Sequence, residues 1–208
     1  MFRSRPQRPT GSLSPKAGSP YKTIKDVIAN AKAHPGTLNF GTINAGSAQN
    51  LSAELFRAMA GLDVTIVPYK TTPDLTSAVL RGDVVVAFEY FVGFQSPIVN
   101  GQMTVLATTA RERASNLPDV PTVIESGLPG YEVTSWNGLA VKTGTSADIV
   151  TRLNQAVIEA MKSPEVQKFS NDAGMDARGM SSDDLRNRIK ADVLKWSQVI
   201  AVAGITKR

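Results

Sequence analysis

The sequence contains no cysteine, which excludes disulfide staples and thiolate metal sites but does not fix a compartment. It has a single histidine. His34 directly precedes Pro35 where a helical pattern stops, the place of a helix carboxyl-terminal residue rather than of a catalytic base. No grouping of His, Asp and Glu has metal-ligand spacing. Ser126 and Ser135 have no base paired with them in sequence, and the acids Asp183 and Asp184 open a helix, where negative charge suits the macrodipole. The residues therefore point to no enzyme, no metal and no cofactor. No apolar run approaches the ~20 residues that a membrane-spanning helix needs.

Acidic residues are missing from the first 25 positions, which carry Arg3, Arg5, Arg8, Lys16, Lys22 and Lys25. The whole chain has 23 basic and 18 acidic side chains, net charge +5, so the excess belongs to this stretch and the rest is nearly neutral. No basic cluster of the kind that tracks a phosphate backbone stands out, and no nucleic-acid partner is expected. The opening MFRSRPQRPTGSLSPKAGSP is rich in Pro, Ser, Gly and Arg and has no apolar core of a secretory signal. It reads as a disordered basic leader over 1–20.

What is present is a core-forming chain, 42% hydrophobic over 208 residues, with alternating helical and strand patterns from Tyr21 onward. Thr23 and Asp26 form a capping box ahead of the stripe Ile24, Val27, Ile28 and Ala31. Strand 38–43, helix 47–60, strand 64–69, helix 72–81, strand 84–90, a short turn or helix near 94–100 and strand 103–109 follow. Strands separated by helices of this length imply a mainly parallel sheet with right-handed crossovers, and VVVAF suits a central strand covered on both faces. RERASNLPDVPT (111–122) breaks the rhythm as a crossover would. Beyond it come a short helix at 123–126, a GLPG turn and a strand at 131–141. Helix 146–162 follows, capped by Thr145 and Asp148, with Ile149, Leu153, Val157 and Met161 inward. A helical segment at 164–173 and a short extended stretch at 175–178 precede helix 182–202, with Leu185, Ile189, Val193, Trp196 and Ile200 on one side. One strand cannot cover so many amphipathic helices, so this second lobe, 123–208, reads as incomplete beside a complete α/β lobe over 21–122.

The candidate site lies at the strand-to-helix junctions. FGTINAGSAQNLSAELF carries Gly41, Thr42, Asn44, Gly46 and Ser47 between a strand and a helix amino end, where an anion is favoured. The spacing fits neither a dinucleotide fingerprint nor a P-loop. Two readings stand for it: a ligand loop, or Ser47 capping its own helix with Gly46 making the turn. VPYKTTPDLT places Thr71 and Thr72 at the next junction with Pro73 in the first helical turn. Both junctions fall at the carboxyl edge of a parallel sheet, where ligands of open α/β folds bind, and two such helix ends make a plausible carboxylate cradle. Glu89 at the third junction either accepts a hydrogen bond from a ligand or is a solvated strand-end acid. Trp136 either lines a cleft or packs at a hinge.

Four stretches carry a family resemblance: AKAHPGTLNFGTINAGSAQNLSAELFRAMAG, VPYKTTPDLTSAVLRGDVVVAFE, LATTARERASNLPDVPTVIESGLPGYEVTSWNGLAVKTGT and IVTRLNQAV. From residue 21 to the carboxyl terminus the chain resembles the substrate-binding proteins of tripartite tricarboxylate transporters, the Bug or TctC family. LPDVPT, GLPGYE and SWNGL in that order are the specific part. The resemblance implies a periplasmic-binding-protein fold of the Venus-flytrap kind, type II. It implies a periplasmic location, a small carboxylate as ligand, and membrane permease subunits as partners. It also implies that 41–50, including Ala45 and Asn50, is a ligand loop. Lys70–Thr72 matches the family's YKG junction, Phe88-Glu89 its FD, and Ser135–Gly138 its SWxG strand. The sequence departs from the family at three places: Asn50 stands where His is frequent, Thr71 where Gly is, and Glu89 where Asp is. Most of the first lobe and its opposing clamp have no counterpart, which implies weak carboxylate binding by this chain alone. A truncated remnant that self-associates through the incomplete lobe is the second reading, giving a possible homo-oligomer.

Overall fold

A computed structural model describes residues 11–114, 116–172, 175, 177 and 179–203. The apolar runs of the first half become strands where β-branched and aromatic residues dominate, and helices where apolar residues recur every three or four positions. The helix α1 (Ile24–Ala33) starts at the reciprocal Thr23–Asp26 capping box and ends at His34. The strand β2 (Asn39–Ile43) leads into α2 (Ala48–Ala60), which stops at Gly61 in a left-handed conformation. The strand β3 (Thr65–Tyr69) leads into α3 (Thr72–Arg81), and β4 (Val86–Tyr90) runs directly into α4 (Phe91–Val99). The short strand β5 (Ala107–Thr108) completes this lobe.

The expected α/β class holds, with one addition. Gly11–Ser14, inside the stretch read as a disordered leader, is the strand β1. It runs antiparallel between β4 and β5, giving the order β3-β2-β4-β1-β5. β2 pairs in parallel with both β3 and β4, so β1 alone runs against the other four strands and the sheet is mixed. Leu13 is 1% exposed, and Ser12 and Ser14 are buried. Composition misjudged this segment because Ser and Gly are common in leaders, whereas four residues suffice for a strand once β4 and β5 offer open ladders on both sides. Residues 1–10 lie outside the described part.

Helices cover both faces. On one, α1 and α2 enclose Leu13, Phe40, Phe56, Phe88 and Val123. On the other, α3 and α4 enclose Leu75, Val79, Val84, Ala87, Phe94 and Met103. Gly41 is required by this second layer, because a Cβ there would come within 2.5 Å of Leu75 Cδ1 and 2.9 Å of Val84 Cγ2.

The second half departs more from the expectations. No named strand occurs at 131–141 among the described residues. Val133 instead makes a ladder-like contact, its N–H donating to the Thr109 carbonyl at 2.8 Å, and Thr134 forms an isolated bridge. The 123–126 helix is one turn, held by Thr122 and Glu125 exchanging side-chain and backbone hydrogen bonds. The helix α5 (Ala147–Ala160) begins at Ser146 with no side-chain cap, and Thr145 Oγ1 donates backward to the Lys142 carbonyl rather than forming a box with Asp148. The helix α6 (Pro164–Asp172) follows, and the extended stretch expected at 175–178 falls partly outside the described residues.

The last helix, α7 (Ser182–Ala203), packs on α2, but not by the stripe its sequence suggests. Val199 is buried and Trp196 packs against the core, whereas Ile189, Val193 and Ile200 are exposed, Val193 by 60%. The chain at 134–136 is engaged by polar side chains one position away. Arg188 Nε donates to Asp192 Oδ2 at 2.9 Å and its NH2 to Thr134 Oγ1 at 2.9 Å. The apolar stripes of α5 and α7, including Ile149 (51% exposed) and Leu153, therefore face away from the described core.

Candidate ligand-binding cleft

The carboxyl ends of β2, β3 and β4 lie at one edge of the sheet, and α2, α3 and α4 start there. The amino end of antiparallel β1 reaches the same edge, with Gly11 opposite Tyr90. Thr109, just past β5, donates its N–H to the Gly11 carbonyl at 2.9 Å, and its Oγ1 donates to the Val133 carbonyl at 2.7 Å. Three chain segments at 11, 109 and 133 thus run side by side along the rim.

The β2–α2 turn is knit from within. Ser47 Oγ accepts the Asn50 N–H at 3.1 Å and donates to the Ile43 carbonyl at 2.8 Å. Gly46, at φ +81°, gives its N–H to Asn50 Oδ1 at 2.9 Å, and Asn50 Nδ2 donates to buried Thr42 Oγ1 at 3.3 Å. Asn44 N–H goes to the Tyr69 carbonyl at 2.8 Å, which pins the turn to the end of β3, while Ala45 is exposed. Thr71 caps α3, accepting from the Asp74 N–H, and its hydroxyl donates to Asp74 Oδ2 at 2.7 Å.

Glu89 stands between the two helix starts. Its Oε1 accepts from Gln49 Nε2 and from the Tyr90 N–H, both at 2.7 Å, and its Oε2 accepts from Thr72 Oγ1 at 3.0 Å. It is 3% exposed, so it is not a solvated strand-end acid. The cradle between α2 and α3 holds this internal carboxylate.

Beside Glu89 lies a small, partly open concavity of about 10 Å³. Ala48, Gln49 and Ser52 form one wall, Tyr90 and Ser12 the floor beside Glu89, and Thr109, Val133 and Ser135 the far side. Of the eleven residues expected to hold a ligand, Glu89 borders it. Gly41, Thr42, Asn44, Ala45, Gly46, Ser47, Asn50, Thr71 and Thr72 build the junctions around it. Trp136 sits apart, its Nε1 donating to Asp192 Oδ2 on α7 at 2.7 Å. The wall has rigid support. Tyr131 OH donates to the Ser52 carbonyl at 3.0 Å and lies 2.6 Å from Ser52 Oγ, and burial pushes this phenol far above its ordinary pKa.

Among the described residues, no basic side chain borders the concavity. Its capacity for an anion comes from the helix amino end. The N–H groups of Ala48 and Gln49 have no intrahelical acceptor and no partner among the described residues. Such groups project beyond the first turn and carry partial positive charge. Gln49 and Ser12 went unread in the sequence, and Ser135 was read only as a serine without a base and as the start of the SWxG match. Gln49 sits in the first turn of a helix, Ser12 in the supposed leader, and Ser135 reaches the rim only through the return of the chain at 133.

The family description "Tripartite tricarboxylate transporter family receptor" matches residues 6–205. The chain belongs to that family. A UPF0065 protein of the clcB-clcD intergenic region of Pseudomonas knackmussii is 35% identical over 156 residues, covering 74% of this chain and 92% of that protein. A UPF0065 protein of the tcbD-tcbE intergenic region of Pseudomonas sp. is 28% identical over 185 residues, 88% of this chain and 55% of the relative. The solved structure of R. palustris Rpa4515 with adipate superposes with a TM-score of 0.81 at 30% identity, covering 96% of this chain and 67% of that one. This receptor-family chain spans about half the length of most curated relatives it matches. No helix among its described residues is long and apolar enough to cross a membrane.

Proposed function

We propose that this chain forms one wall of a periplasmic solute receptor and holds a small carboxylate at the amino end of α2, for delivery to membrane permease subunits. The observation that carries the reading is the pair of unpaired N–H groups at Ala48 and Gln49, bordering an open concavity at the carboxyl edge of the sheet. Family membership and a relative solved with adipate agree with that chemistry. Two N–H donors facing solvent on the opposite side cannot exclude water or surround a ligand, so affinity is low. Titration of adipate is expected to move the amide NMR signals of Ala48 and Gln49 with a Kd of about 1 mM or weaker. Unchanged signals throughout the titration would refute the site. A nanomolar Kd by calorimetry would refute the one-walled cleft.

A second reading is favoured by the apolar stripes of α5 and α7 and by Leu139, 81% exposed. Contiguous exposed apolar surface of this kind is uncommon on soluble monomers, and a second copy burying it would make the chain a homo-oligomer. Light scattering is expected to give a mass above one chain, and paired Leu153→Lys and Val193→Lys changes to return it to one. A monomeric parent at high concentration counts against this reading.

A further inference from the structure

Glu89 is a buried carboxylate with no cation to neutralise it: it forms no ion pair among the described residues. Burying such a charge is costly unless hydrogen bonds replace its water. Its three donors come from three different elements: Gln49 of α2, Thr72 of α3 and the backbone of Tyr90 in β4. A fourth element closes over it. A Cβ at Gly93, in the first turn of α4, would come 3.0 Å from Glu89 Cγ and 3.2 Å from Thr72 Cγ2. A fifth is tied to its main chain, since Ser12 Oγ of β1 donates to the Glu89 carbonyl at 3.2 Å.

We propose that Glu89 is a positioning residue: a resident anion that locks the amino ends of α2 and α3 to β4 and so fixes the first turn of α2 beside the concavity. A carboxylate offers about four acceptor sites, and three are spent inside the protein. Charge-assisted hydrogen bonds are the strong ones, so a single side chain couples two helices that share no direct side-chain bond at this edge. For the ligand, this inference rests on the carboxylate site proposed above; for the coupling it does not.

The test compares Glu89→Gln with Glu89→Ala in the full chain. Glutamine can keep all three bonds: its amide oxygen accepts from Gln49 and Tyr90, and its amide nitrogen donates to the Thr72 hydroxyl. Alanine leaves three donors around a carboxylate-sized vacancy. In the ligand-free protein, amide exchange at both Leu51, whose N–H donates to the Ser47 carbonyl in the first turn of α2, and Asp74 is expected to quicken about tenfold or more in Glu89→Ala and to stay within about twofold of the parent in Glu89→Gln. Formate is expected to restore protection at both positions in Glu89→Ala by filling the vacancy. If Glu89→Ala does not fold, Thr72→Val serves, and faster exchange must then reach Leu51 on the other helix. Disturbance confined to one helix, a Glu89→Gln variant as loose as Glu89→Ala, or formate without effect would overturn the proposal. Adipate binding is expected to weaken about tenfold in Glu89→Ala and to survive in Glu89→Gln. If the exchange pattern holds but no variant or parent binds adipate, the ligand site fails and the brace stands.

Discussion

Replacing Phe56 with alanine is expected to destabilise the protein by about 3–5 kcal/mol, the range for removing a buried aromatic side chain. Phe56 is fully buried on α2 and meets three other rings edge-on or tilted. Its centroid lies 6.0 Å from Phe40, 5.6 Å from Phe88 and 5.9 Å from Tyr131. Phe40 and Phe88 come from neighbouring strands, and Tyr131 comes from the chain that returns after the crossover. One truncation therefore loosens the sheet, α2 and the segment that carries Val133 and Ser135 to the rim. Urea unfolding of Phe56→Ala beside Phe56→Leu checks this. Leucine refills most of the volume and is expected to recover most of the loss; a leucine variant as unstable as alanine would mean that ring geometry, not filled space, governs the cluster. An alanine variant within about 1 kcal/mol of the parent would remove the cluster from any central role.

The second large effect concerns the segment whose composition misleads. Leu13→Ala is expected to cost about 2–5 kcal/mol, as for other buried leucines in a closed core. Leu13 packs with Phe40, Phe88 and Ala107, and its carbonyl accepts the Leu106 N–H at 2.9 Å. Its neighbours Ser12 and Ser14 are buried in the same ladder. Thermal unfolding provides the measurement, with amide exchange as a second probe: the Leu13 and Ser14 amides should exchange as slowly as those of β4. A variant as stable as the parent, with fast exchange at these amides, would return β1 to the status of a leader.

Both effects bear on function through the same geometry. β1 and the 109 and 133 segments meet at the rim, so whatever weakens β1 also frees the floor beside Glu89. The cleft is only as well ordered as the strand that enters beneath it.

The α/β alternation of the first half was legible from residue pattern because each signal there is local. The Thr23–Asp26 box and the Pro73 start both act within a turn of themselves, and both appear in the structure. The family and its fold class were legible too, since runs such as LPDVPT, GLPGYE and SWNGL survive in order. Patterns failed where a partner decides the outcome. Residues 131–141 have strand composition, yet a strand needs a neighbour to bond along its length, and pairing here is confined to the contact near Val133 and Thr134, with Val133 bonded to Thr109. The α7 stripe through Ile189 and Val193 predicts burial, yet the helix turns its polar Arg188–Asp192 side to the returning chain, where Thr134 and Trp136 offer hydrogen bonds.

Sequence by itself determined that the junctions of β2, β3 and β4 would gather at one edge, because parallel strands joined by helices leave no other arrangement. Tertiary structure alone decided what stands in that edge. The space between α2 and α3 that suits a carboxylate is taken by Glu89, and the N–H groups left over belong to Ala48 and Gln49. The reason is one of reach: helix periodicity and capping depend on residues three or four positions apart, whereas Gln49 and Glu89 are separated by 40 positions and Ser12 and Glu89 by 77.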